Sequence, residues 1–95
     1  MARFEVAHLR EQGQDIIIVV VDHSFGFKSN VEQNEIRDSI QVCATAAGLR
    51  GTVVPVWDGG GGRMAFLAPR PWVPFFQSMT LADVAANINR ELTCG

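Results

Sequence analysis

Between Asp15 and Asp22 the chain runs Ile16-Ile17-Ile18-Val19-Val20-Val21, an unbroken series of β-branched apolar residues. β-Branching stiffens χ1 and suits a pleated strand better than a helix. Spanning a bilayer takes ~20 apolar residues, so this run belongs inside a folded domain. A strand that is apolar on both sides is covered on both sides. The run is therefore expected to be the central strand of a small sheet.

Residues 1–95 make one domain. A hydrophobic fraction of 47% argues against disorder. A chain this short buries a modest share of its surface, so self-association would help it. The net charge of −2 gives no footprint for nucleic acid. Basic residues are scattered singly, with no run that would seek anionic lipid, so no membrane partner is expected. The start, Met1-Ala2-Arg3-Phe4-Glu5, has no apolar core of a secretory signal. Cys43 and Cys94 lack zinc-ligand or CxxC spacing. A cytoplasmic chain with reduced thiols is expected on these grounds. No cofactor and no metal site is expected, since His8 and His23 have no second ligand at a suitable spacing.

Arg3-Phe4-Glu5-Val6 alternates polar and apolar, and a first strand is predicted over roughly 2–10. Gly13 offers the turn into the second strand, roughly 15–22. Ser29-Asn30-Val31-Glu32 fits a capping box, and Ile36, Ile40, Cys43 and Ala47 then share one helix face up to Gly48. Thr52–Trp57 reads as the third strand, with Pro55 favouring a sheet edge. After the glycines at 59–62, Arg63–Ala68 reads as the fourth. Three prolines between 69 and 74 break regular structure. Thr80 caps a last helix whose stripe is Leu81, Val84, Ala85, Ile88 and Leu92.

The predicted order is ββαββα, an α+β two-layer sandwich. With the third strand at the edge, the four-stranded sheet runs 1-2-4-3, antiparallel throughout, with two helices on one face. That arrangement is similar to a circularly permuted ferredoxin-like fold; the likeness is topological and carries no function. Helices on one side leave an apolar face open, which leads to the expectation of a homodimer packed sheet to sheet. The alternative is that the segment 69–78, with its aromatics, folds over that face.

Strands two and three point the same way, so their C-terminal ends share one edge of the sheet. Three candidate catalytic residues lie there: His23, Asp22 and Asp58. Imidazole, with an ordinary pKa of ~6.5, suits proton transfer near neutrality, and a carboxylate would orient it. Asp22-His23-Ser24 cannot form a hydrolytic triad, because adjacent side chains diverge. Candidate ligand-binding residues are Ser24, Phe25, Phe27, Lys28, Trp57, Gly60, Gly61, Arg63 and Trp72. The aromatics would line a pocket for a flat or apolar ligand. Arg63 and the glycines would meet an anion, although no phosphate-loop motif follows them. Phe25-Gly26-Phe27 is expected to move, with glycine as its hinge. The expected function is a binding or interaction module of unknown ligand, a small molecule being one candidate; the alternative is a small enzyme with a His/Asp acid–base site at the sheet edge, acting on a small substrate for which an anion is one candidate.

Overall fold

The computed structural model describes residues 2–94. It contains one five-stranded mixed sheet. Strand β1 (Ala2–Glu11) and strand β2 (Gln14–Val20) form the expected hairpin, with Val6 opposite Val19 and Glu11 opposite Gln14. A 3-10 turn at His23–Phe27 leads into helix α1 (Asn30–Ala46), which returns the chain to strand β3 (Thr52–Asp58). Strand β4 (Met64–Phe66) follows, then a 3-10 turn at Arg70–Trp72, the short helices α2 (Val73–Gln77) and α3 (Leu81–Ala86), and strand β5 (Arg90–Cys94). The spatial order is β4-β3-β2-β1-β5.

Three parts of the expected four-stranded antiparallel topology are corrected. First, β3 lies beside β2 and parallel to it, Ile18 opposite Val54, and β4 takes the edge. The proline argument points the right way but has a second solution. The Pro55 carbonyl accepts from the Leu67 amide at 3.0 Å, so the missing N–H also faces the β4 side. A strand of three residues, ending at Phe66, leaves that position outside its ladder.

Second, the last helix stops at Ala86, and 90–94 is a strand paired with β1, Leu92 opposite Phe4. Leu92 fits a helical stripe and an inward strand position equally well. The open edge of β1 decides between them, because tertiary pairing outweighs a weak helical preference.

Third, helices cover both faces of the sheet. On one face Val6, Ile17, Val19, Val53 and Leu92 pack with Ile40 and Ala44 of α1. On the other Ala7, Ile16, Ile18, Val54 and Val56 pack with Phe76 of α2 and Val84 of α3. The alternation of β2 thus feeds two cores. The segment 69–78 folds over the face that an open sheet would have exposed. Ala44, rather than Ala47, is the buried alanine of the α1 stripe.

The helix ends follow their sequence signals. The Ser29 hydroxyl accepts from the Glu32 amide at 3.2 Å, and Thr80 and Asp83 form a reciprocal capping box. Gly48 has φ +85°, with the Leu49 amide reaching back to the Ala44 carbonyl, a Schellman ending.

Two side-chain amides stand in for missing strand neighbours. Gln41 of α1 accepts from the Val53 amide (2.8 Å) and donates to the Gly51 carbonyl (3.1 Å), at the β3 edge that β4 does not reach. Asn89 accepts from the His8 amide (2.9 Å) and donates to the His8 carbonyl (3.0 Å), just beyond the end of β5.

Cys43 and Cys94 form a disulfide, with Cα atoms 5.8 Å apart, joining α1 to β5. The expectation of reduced thiols is corrected here. Once the chain end is a strand, Cys94 lies under α1 and meets Cys43. Such a bond persists in oxidising surroundings, so it lends nothing to a cytoplasmic location. Among the described residues no helix is long and apolar enough to cross a membrane.

Candidate binding cleft

The parallel pair β2 and β3 delivers two chain segments to one edge of the sheet. Ligands of sheets with parallel strands gather outside the C-terminal strand ends. After β2 the chain enters the 3-10 turn at His23–Phe27; after β3 it enters the glycine loop. A cleft of about 430 Å3 lies between them, lined by His23, Gly26, Phe27, Trp57, Asp58, Gly59, Gly60 and Ala65.

The turn is built on Asp22. Its carbonyl accepts from the Phe25 amide at 3.0 Å. Its carboxylate accepts from the Ser24 amide at 3.4 Å and lies 2.8 Å from His23 Nδ1. The Ser24 amide, and then His23, hold the Asp22 carboxyl below the usual aspartate range. An ionised carboxylate can only accept, so His23 Nδ1 carries the proton it donates. In neutral imidazole Nε2 is then the acceptor. Both side chains are about 70% exposed, at 70% and 72%.

The floor is aromatic. Phe25 is buried and its ring centroid lies 4.7 Å from that of Trp57, at 59°. Trp57 is 7% exposed; its indole N–H makes no hydrogen bond among the described residues and, since none of their buried side-chain polar atoms lacks a partner, it reaches solvent. Gly26 lets the indole approach: a Cβ built there would lie 2.7 Å from Trp57 Nε1. Close contact with Trp57 thus gives this glycine a packing reason. Phe27 stands at the lip, 85% exposed, with the His23 ring edge-on at 6.3 Å.

The glycine loop is closed by its own hydrogen bonds. Gly59 donates to the Arg63 carbonyl at 2.8 Å, Arg63 donates to the Gly60 carbonyl at 3.1 Å, and Gly60 donates to Asp58 Oδ1 at 2.8 Å. Gly60, Gly61 and Gly62 have φ of +106°, +61° and +76°, a path that side chains rarely follow.

The structure brings together His23, Phe27, Trp57, Asp58 and Gly60, with Asp22 behind His23. Ser24 contributes a backbone amide to Asp22, and Phe25 supports Trp57 from beneath. Lys28 and Gly61 lie outside the lining. Arg63 borders a separate groove with Met64, Phe66 and Gln77. Trp72 lies at the opposite end of β2, beside Gln14, Ile16 and Phe75. Gly59, part of the glycine run, lines the cleft as well, and so do Gly26 and Ala65, which are not among the sequence candidates for binding. Only a pairing register, which puts Ala65 opposite Trp57, could have found the last. Among the described residues no three His, Cys, Asp or Glu side chains converge as ligands for a metal ion.

Comparison of the chain with family models, with curated proteins and with solved structures returns no match.

Proposed function

We propose that the protein is a binding module for a small molecule, held in the cleft at the C-terminal ends of β2 and β3. The observation that carries this is an exposed Phe27 in the same cleft as a mostly buried Trp57 whose indole N–H meets solvent rather than a protein acceptor. A large aromatic left in solvent at a cleft lip, with a solvent-facing donor in the same cleft, suits an apolar or flat guest with one polar atom. A volume of about 430 Å3 is of the size small ligands fill.

The test is a fragment screen by amide and indole NMR, followed by Phe27→Ala. Hits should move the Trp57 indole, Gly59 and Gly60 signals together. Phe27→Ala should weaken those hits while leaving stability within about 0.5 kcal/mol, as exposed positions do. Hits scattered over the surface, or none at the cleft, would sink the proposal.

A second reading is favoured by one distance, the 2.8 Å between His23 Nδ1 and Asp22. It leaves Nε2 free to take a proton at the cleft, the arrangement of a general base. In that case His23→Ala abolishes turnover and retains ligand binding, and Asp22→Asn lowers turnover by misorienting the ring. The sheet-to-sheet homodimer drops out of the proposal, because its motive, an open apolar face, is met within the chain. A monomer is the expected species, checked by light scattering across a dilution series.

A further inference from the structure

The chemistry of the cleft wall narrows the guest, on the footing that the cleft is the binding site. Three features bear on its charge. No Lys or Arg is among the lining residues. The backbone amides that could have met an anion are already engaged: Gly59 with Arg63, Gly60 with Asp58, Ser24 with Asp22 and Phe25 with the Asp22 carbonyl. An anion would arrive at a wall with few donors to spare and with two carboxylates nearby.

The same wall suits a cation. Asp58 uses Oδ1 for the Gly60 amide, and its Oδ2 has no partner among the described residues. Phe27 offers a largely free ring face within the same cleft. A carboxylate and an exposed aromatic ring lining one cleft together attract organic ammonium ions. The Trp57 indole adds a single donor, which asks for a neutral acceptor on the guest.

We infer that the cleft binds a small organic ammonium ion, with an aromatic or apolar body and one hydrogen-bond acceptor. The ammonium lies against Asp58 and Phe27, and the acceptor meets the Trp57 indole N–H. The anionic substrate suggested by Arg63 is replaced, because Arg63 borders a different groove.

Three matched probes test this by NMR titration of the unmodified protein: phenylethanolamine, styrene glycol and mandelate. They share a phenyl carbinol and carry positive, zero and negative charge. The amine should bind on the order of tenfold more tightly than the glycol, and mandelate most weakly. Added salt should weaken the amine and leave the glycol unchanged. Asp58→Asn keeps an acceptor for the Gly60 amide and removes the charge, and should lower amine affinity roughly two- to fivefold. Equal binding of amine and glycol, tighter binding of mandelate, or an Asp58→Asn protein with unchanged amine affinity and salt response would overturn the cationic assignment and leave the cleft standing. If none of the probes moves the Trp57 indole, Gly59 or Gly60 signals, and the fragment screen also leaves them still, the cleft reading fails with it.

Discussion

The two faces of the sheet are covered in opposite ways. One lies under α1, a helix of 17 residues, and its buried core is aliphatic, with Phe4 packed at its margin. The other lies under α2 and α3, of five and six residues, and its core draws on Phe76 with Phe66, Phe75 and Trp72 packed around it. Helices shorter than ~12–15 residues are marginal on their own. A long helix contributes its own hydrogen-bonded length and can pack with Ile and Ala. Short helices lack that support and depend on the area of a few large rings. The α1 face also carries a covalent tie, through Cys43 and Cys94, that the other face lacks.

The contrast can be broken first at Phe76. Phe76→Ala should cost about 3–5 kcal/mol in chemical denaturation, the usual cost of emptying a buried phenylalanine site. A loss under 1 kcal/mol would mean the short helices do not depend on it. Next comes the disulfide. Replacing both cysteines with alanine should cost about 2–5 kcal/mol, since the bond closes a sequence separation of 51. Mass spectrometry before and after alkylation without reductant checks that the bond is present.

A finer comparison uses the caps. Ser29→Ala and Thr80→Ala should each cost about 1 kcal/mol. Hydrogen exchange should separate them: losing Thr80 exposes the amides of α3, whereas α1 keeps most of its protection without Ser29.

The smallest effect belongs to Asp22, which lies on neither face. Its carboxyl is lowered chiefly by the Ser24 amide. Folding therefore favours its ionised form. That contribution is complete above the ordinary aspartate value and is lost as pH falls through the lowered native one. The stability gap between wild type and Asp22→Asn should shrink on acidification over that range. A gap independent of pH would show that the carboxylate contributes nothing through its charge.

What the sequence made legible divides along the same line as the faces. The run 16–21, the Ser29 cap, the α1 stripe and the Gly48 stop all rest on local patterns several residues long. The α2–α3 side was harder to read, because prolines and paired aromatics have no period. At the chain end, Leu92 suits two periodicities, and only the free edge of β1 selects the strand. The pairing of Cys43 with Cys94 follows from that choice. The cleft shows the same limit. The meeting of His23, Trp57 and Asp58 follows from two strands pointing one way, and survives the change in their neighbours. The positions of Arg63 and Trp72 depend on which strand holds the edge and on where an aperiodic segment folds back.

The amides of Gln41 and Asn89 have a consequence for how the protein behaves among many copies of itself. Each fills hydrogen-bonding positions on an otherwise open stretch of strand, where a neighbouring molecule could add a strand of its own. A Val- and Ile-rich chain at high concentration is at risk from that kind of templating. With those positions occupied from within, a neighbour is left with only the short outer edges of β4 and β5. Conversion of Asn89 to aspartate during storage would remove the donor to the His8 carbonyl and leave that acceptor of β1 open again.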